Sequence, residues 1–168
     1  VLINGASGSL GSYAVQLAKN FGAEVTGVCS TANIELVESL GAEEVVDYTK
    51  EDVTKTTRIF DVIFDAVGNL PFSRCKNNLE PKGTYLSSLT DLGLLFQMLW
   101  GTTIGSRKVI GGVAEERSED LDFFRELIEA GRLKPVIDRS YSLENLVEAH
   151  RYVDQGHKKG NVTVTIEH

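Results

Sequence analysis

The chain has 168 residues, 42% hydrophobic and 24% charged, with a formal net charge of −7. That length fits one domain, and the composition excludes collagen-like, mucin-like and disordered classes. The acidic charge argues against nucleic acid and anionic membrane as partners, two cysteines exclude a disulfide framework and a four-cysteine zinc site, and no run approaches the ~18 apolar residues of a membrane span. The expected compartment is reducing, cytoplasmic by default. The only methionine is Met98, so the chain is read as lacking a front segment or as an excised domain.

Residues 1–3 (VLI) predict a short buried strand running into a glycine turn, 4–11 (NGASGSLG). A helix follows, because Leu10, Ala14, Leu17, Ala18 and Phe21 recur as one apolar stripe, and Gly22 is placed to cap it. Residues 24–29 predict a second strand. Thr31 is placed to N-cap a short helix through Leu40, ended by Gly41. The junctions FGAEV (21–25) and LGAEEV (40–45) repeat one helix–glycine–strand pattern. Residues 45–46 give a third strand, and Thr49 is placed to N-cap another helix. Strand four is 60–65 (FDVIFD), a helix covers 71–79, strand five is 83–89, and strand six lies at 108–111. Ser118 is placed to N-cap an acidic-first-turn helix, 119–130, stopped by Gly131. Ser142 starts the last helix, and 161–166 alternates as a final strand. The predicted fold is α/β, a Rossmann-type doubly wound parallel six-stranded sheet in the order 3-2-1-4-5-6, with helices on both faces.

Within the turn, Ala6, Gly8 and Gly11 occupy the positions of the dinucleotide fingerprint G-x-G-x-x-G. The first makes the tight turn, Gly8 lets a pyrophosphate approach the backbone, and Gly11 lets helix and strand pack closely. The turn follows a strand and opens an amphipathic helix, which favours dinucleotide binding over a turn used only for packing. Residues 1–134 are therefore read as a dinucleotide-binding Rossmann domain. Residues 135–168 are read as a strand–helix–strand segment packing on it. An NAD site usually carries an acid at the tip of strand two. Here the tip is CSTAN (29–33), with no carboxylate before Glu35. Ser30, Thr31 and Asn33 donate hydrogen bonds to a 2′-phosphate that a carboxylate would repel, so NADP(H) is favoured over NAD(H). Against this, no Arg or Lys occurs between Lys19 and Lys50.

The segments VLINGASG (1–8), AVQLAK (14–19), GAEVTGV (22–28), DY (47–48), FDVIFDAVG (60–68), LKPVIDR (133–139), EAH (148–150) and GHKKGN (156–161) carry a resemblance. Together they resemble the cofactor domain of the medium-chain dehydrogenase/reductase superfamily, in its zinc-independent NADPH:quinone oxidoreductase-like branch. The resemblance implies the NADP(H)-binding domain of an enzyme that transfers hydride from NADPH to a quinone or an activated alkene. It implies that Ser7, Gly8, Ser9, Leu10 and Gly11 cradle the pyrophosphate, and that Ser30, Thr31 and Asn33 meet the 2′-phosphate. Tyr48 would contact the adenosine phosphate region. Ala66, Val67 and Gly68 would lie by the cofactor, Ser87 near the nicotinamide, and Asn161 at a late phosphate contact. One departure is Ala32, where many relatives carry a basic residue. Full-length members carry an N-terminal substrate domain resembling a GroES-type β-barrel, so this chain alone is expected to be catalytically silent, and no catalytic residue is named.

Cys29 and Cys75 read as ordinary small residues, and His150 and His157 lack zinc-site spacing. No metal is expected. No tyrosine has a lysine four residues on, which disfavours the short-chain dehydrogenase proton-transfer pair. Lys158 and Lys159 read as a solvated turn, with attraction of cofactor phosphate as the alternative. The apolar run 92–100 either fills the core or covers the nicotinamide's substrate end. Strand six is apolar and free of proline, which predicts a homodimer through that edge, with Arg107 and Lys108 as guards in the monomeric alternative. Two other functions stay open: a non-catalytic dinucleotide-binding sensor, and a Rossmann-like methyltransferase, whose sheet usually ends in a reversed strand.

Overall fold

The computed structural model of the chain describes residues 1–89, 106–111 and 117–166. The run 92–100 and Gly112 lie outside the described residues. Six strands form one sheet: β1 (Leu2–Asn4), β2 (Thr26–Cys29), β3 (Glu44–Asp47), β4 (Phe60–Asp65), β5 (Leu79–Ser87) and β6 (Lys108–Gly111). Their order is β3-β2-β1-β4-β5-β6, and every neighbouring pair is parallel. This is the predicted doubly wound Rossmann arrangement, and none of these six strands is reversed. The helices are α1 (Ser9–Asn20), α2 (Ile34–Ser39), α3 (Phe72–Cys75), α4 (Ser118–Glu129) and α5 (Leu146–Asp154). Two further strands, β7 (Ile137–Ser142) and β8 (Asn161–Thr165), pair in parallel as a separate small sheet around α5.

Alternation along the strands divides the core between the two sheet faces. Leu2 joins Val28, Ile63, Leu79, Tyr85 and Val109 on one face. The next residue, Ile3, joins Ala6, Val15, Val25, Val37 and Ala42 on the other. Such side chains contribute about 1.5–3 kcal/mol each on burial. Helices α1 and α2 end alike: Ala23 N–H bonds to the Ala18 carbonyl and Gly22 N–H to that of Lys19, while Ala42 bonds to Val37 and Gly41 to Glu38. This paired bonding is the Schellman closure, and it explains the repeated Gly-Ala-Glu junction.

Several local expectations are corrected. The buried side of α1 is Gly11, Ser12, Val15 and Gln16, whereas Leu10 is 55% and Phe21 73% exposed. The rotation is set by close contact of Gly11 with the preceding turn, which hydropathy does not register. Thr31 does not cap α2; Ser30 precedes a 3-10 turn, Thr31–Asn33, that leads into it. Thr49 caps no helix, because Asp52 accepts from Thr54 N–H at the head of the 3-10 turn Val53–Lys55. Ser118 is the first residue of α4 rather than its cap. Strand β5 starts at Leu79 rather than Gly83. A register shift opposite Phe60 and Val62 absorbs Pro81 and Lys82, the latter at φ +79°.

Residues at the unit boundary are tied back to α1. Gln16 Nε2 donates to the Lys134 carbonyl at 3.0 Å, and Lys134 N–H donates to Gln16 Oε1 at 2.8 Å.

Candidate functional site

The chain leaves β1 and reverses at Gly5, which has φ +78°. The tight turn expected at Ala6 is thus made one residue earlier, and Ala6 is fully buried beneath it. Gly5 and Ala6 both donate their N–H to the Val28 carbonyl, holding the turn over β2. A Cβ on Gly11 would lie 2.1 Å from the Gly5 carbonyl oxygen, so α1 rests directly on the turn. Gly8 differs. It has φ −77°, and the nearest atom to a Cβ there would be the Gly5 oxygen at 3.4 Å. The fold tolerates a side chain at Gly8, and the space above it opens into a cleft.

That cleft has a volume of about 880 Å³ and lies at the C-terminal ends of β1, β2 and β4, with Ser7, Gly8, Ser30, Asn33, Tyr48 and Val67 in its walls. The first turn of α1 has no acidic residue and no side-chain cap, so its N-terminal N–H groups and partial positive charge face the cleft. Lys158 Nζ donates to Ser9 Oγ at 2.6 Å and to the Gly160 carbonyl at 2.7 Å, and Ser9 Oγ donates to the same carbonyl. An ammonium therefore stands beside the positive end of a helix, an arrangement that an anion between them would stabilise. Asn33 Nδ2 donates to Ser7 Oγ at 3.1 Å and Ser30 Oγ at 3.2 Å. Both hydroxyls accept from Asn33, which leaves their own O–H donors for the cleft. The Oδ1 of Asn33 is buried without a partner.

Thr31 is not brought into this group. Its hydroxyl donates to Asp47 at the end of β3. Asp47 also accepts from Thr49 N–H at 3.0 Å and Thr49 Oγ1 at 2.7 Å, and pairs with Lys50. The Thr31 and Thr49 hydroxyls hold its carboxyl below the usual carboxylate range. Tyr48, the next residue, is 60% exposed and lines the cleft. Leu10 and Gly11 contribute backbone alone, since Leu10 points to solvent.

The loop after β4 is built on Asp65. This fully buried carboxylate accepts from Asn4 Nδ2 at 2.9 Å, from Val67 N–H at 3.2 Å, Gly68 N–H at 2.9 Å and Leu70 N–H at 2.8 Å. These bonds fold Ala66, Val67 and Gly68 over the glycine turn, with Val67 Cγ2 in the space a Gly5 side chain would need. Ser87 Oγ donates to the Leu89 carbonyl at 2.8 Å, and Leu89 packs on Gly68, so the β4 and β5 loops meet. Asn161 Nδ2 donates to Tyr13 Oη and the Val136 carbonyl, which commits that amide inside the chain.

Lys158 and Lys159 do not form a solvated turn. Both are half-buried, and Lys159 Nζ reaches the Ala32 carbonyl at 3.4 Å. Sequence distance hid these contacts, since Ser9 lies 149 positions from Lys158 and Ala32 lies 127 positions from Lys159. The Asp65 network was also missed, because its partners are mostly backbone N–H groups. Burial pushes the Cys29 thiol up to about 11 and the Cys75 thiol up to about 12, as expected of packing residues.

The sequence profile described as zinc-binding dehydrogenase matches residues 40–164. The chain belongs to that family. It is 36% identical to the mitochondrial NAD(P)H oxidoreductase RTN4IP1 of Mus musculus, over 98% of this chain and 47% of the mouse protein. It is 34% identical to the chloroplastic quinone-oxidoreductase QR1 of Triphysaria versicolor, over 98% of this chain and 51% of the plant protein. The solved quinone oxidoreductase of Coxiella burnetii superposes with a TM-score of 0.88 at 26% identity, covering 99% of this chain and 52% of that one. The chain spans about half the length of the curated relatives it matches. The family description names zinc, yet among the described residues no three His, Cys, Asp or Glu side chains gather as a metal ion requires. Dinucleotide phosphates fit better: the cleft offers space over Gly8, free helix N–H groups, two hydroxyl donors and an ammonium.

Proposed function

We propose that the chain is the NADP(H)-binding domain of an oxidoreductase that transfers hydride from NADPH to a quinone or an activated alkene. The observation that carries this reading is Gly8, whose open face is not required by the fold. The start of α1 and Lys158 hold the pyrophosphate there. Ser7 and Ser30 donate to the adenosine-side phosphate, with Asn33 orienting both hydroxyls. Tyr48 flanks that end, while Ala66, Val67, Gly68 and Ser87 flank the nicotinamide end. The nicotinamide, when bound, supplies the hydride, and the residues named here bind and aim it. The oxidoreductase names of the relatives support this assignment of substrate class.

The test is titration of NADPH fluorescence with the protein and with Gly8→Val. Saturable binding by the parent, lost in a folded Gly8→Val variant, is expected; normal binding by the variant refutes the phosphate cradle. NADPH binding with no turnover of any quinone or enone in the full-length protein would favour the sensor reading instead. The all-parallel order of the six strands described in the main sheet counts against a methyltransferase.

Residues 1–134 act in this proposal as the nucleotide-binding unit, with 135–168 packed on it through Ser7, Ser9 and Tyr13. A homodimer forms across β6, which ends the sheet; Ile110 is 47% exposed there, and Arg107 is drawn inward to the Leu79 carbonyl instead of guarding the edge. No described helix is long and apolar enough to cross a membrane. The two unpaired cysteines fit a reducing compartment, cytosol or organelle matrix; the relatives above are named as mitochondrial and chloroplastic.

A further inference from the structure

We infer that Asp138 is a positioning residue for cofactor binding, fixing the backbone at Lys158 so that its ammonium stands beside the start of α1 before a ligand arrives. The inference rests on the reading above, in which Lys158 holds the pyrophosphate.

Strand β7 carries one residue more than its partner at this point. Ile137 pairs with Asn161 and Arg139 with Val162, which leaves Asp138 as a bulge between them. A bulge re-aims a side chain, and bulges concentrate beside functional sites. Here the carboxylate meets the loop after α5, and Asp138 Oδ2 accepts the Lys159 N–H at 3.0 Å. That N–H belongs to the planar peptide unit joining Lys158 to Lys159, so the bond restrains the Lys158 backbone directly. Among the described residues it is the only hydrogen-bonded amide between those of Gly156 and Gly160, which donate to the Val153 and Ser7 carbonyls.

Asp138 is itself held in place. Tyr152, in the last turn of α5, donates its Oη to the same Oδ2 at 2.5 Å. The bond to Asp138 pushes the Tyr152 phenol above its ordinary pKa, so it remains a donor at neutral pH. Its ring lies 3.9 Å beneath the guanidinium of Arg139, the next residue of β7. One carboxylate oxygen thus joins β7, α5 and the loop. At the far end of the side chain, Lys158 Nζ donates to Ser9 Oγ at 2.6 Å and to the Gly160 carbonyl at 2.7 Å. A lysine has much rotamer freedom to lose on binding. Fixed at both its backbone and its head, Lys158 has less left to lose, and that preorganisation appears as affinity.

The experiment is a double-mutant cycle on NADPH affinity, read by fluorescence titration with melting temperature measured alongside. Asp138→Ala removes the acceptor and should weaken NADPH about ten-fold. Asp138→Asn keeps an acceptor oxygen and should recover most of that loss. Tyr152→Phe keeps the ring on Arg139 and should cost about three-fold. In a Lys158→Gln background, where no ammonium remains to be placed, Asp138→Ala should add less than about two-fold. A loss that is the same with and without Lys158 makes Asp138 a merely structural residue and overturns the inference. Parental affinity in Asp138→Ala or in Lys158→Gln overturns it too, while leaving the proposed function intact. If Asp138→Ala does not fold, Tyr152→Phe decides by the same comparison with and without Lys158. A parent protein that binds no NADPH overturns the proposed function as well.

Discussion

Two glycines three residues apart should respond to the same added methyl in opposite ways. At Gly11 an alanine Cβ would sit 2.1 Å from the Gly5 oxygen and 2.8 Å from the Ala6 Cα, both backbone atoms. Ordinary contact needs roughly 3.5 Å, so α1 must move more than an ångström off its turn. Overpacking of that kind costs about 1–3 kcal/mol. For a chain of this length that corresponds to a fall of about 2–12 °C in Tm. At Gly8 the nearest atom is 3.4 Å away and φ is −77°, so alanine fits. It should stabilise the fold by about 0.4–1 kcal/mol through the unfolded chain, raising Tm by about 1–4 °C. That same methyl occupies the approach to the α1 N-terminus, and NADPH affinity should fall at least about ten-fold, the scale of one lost charge-assisted bond. Thermal denaturation by circular dichroism and NADPH titration measure both effects. A Gly8→Ala protein that binds NADPH like the parent, or a Gly11→Ala protein that melts like the parent, would refute the division of labour between the two positions.

Ser30→Asp places a carboxylate where Asn33 now steers a hydroxyl, and the NADPH-over-NADH preference should invert in fluorescence titrations; a retained preference would count against the 2′-phosphate assignment. Asp47 is held ionised by the Thr31 and Thr49 hydroxyls, so its folded-state pKa lies below its unfolded value near ~3.9. Its stabilisation is present above about pH 4 and lost as pH falls toward the folded value; the gap in Tm between the parent and Asp47→Asn should narrow on acidification from pH 6 to pH 3, and a constant gap would contradict the assignment. Ile110→Pro removes a ladder donor from β6, and light scattering at micromolar concentration should show the dimer shifting to monomer; a dimer indifferent to the substitution would exclude the β6 edge as its interface.

The sheet order was legible because strand and helix alternate at short intervals, and β4 has the bounds its residues predict, at 60–65. The glycine turn was legible as a type, though not in detail. The left-handed residue is Gly5 rather than Ala6, a distinction visible only in φ. Apolar periodicity misplaced the buried face of α1, since Gly11, Ser12 and Gln16 carry little hydropathy yet are the residues pressed inward. At the candidate site, Ser7, Gly8, Ser30 and Asn33 are legible from the glycine motif and the acid-free tip of strand two, and they lie in one cleft. Thr31 was named for the same reason, but its hydroxyl found a stronger acceptor in Asp47, 16 residues on. The approach of Lys159 to the Ala32 carbonyl could not be located by local spacing, because the two lie 127 positions apart.

The bonds from Gly160 to Ser7 and from Lys158 to Ser9 make the cleft a property of early and late residues at once. During synthesis, the glycine turn leaves the ribosome long before the loop that completes its wall. The binding site therefore matures only after the loop at 156–160 has emerged, and cofactor capture reports on finished folding of these elements rather than assisting their first steps. Once formed, the arrangement works in reverse as a latch. A nucleotide present at a hundred times its Kd adds about 2.7 kcal/mol against any opening that separates the two units. Holding them together in this way should make them melt as one cooperative body in the presence of NADPH.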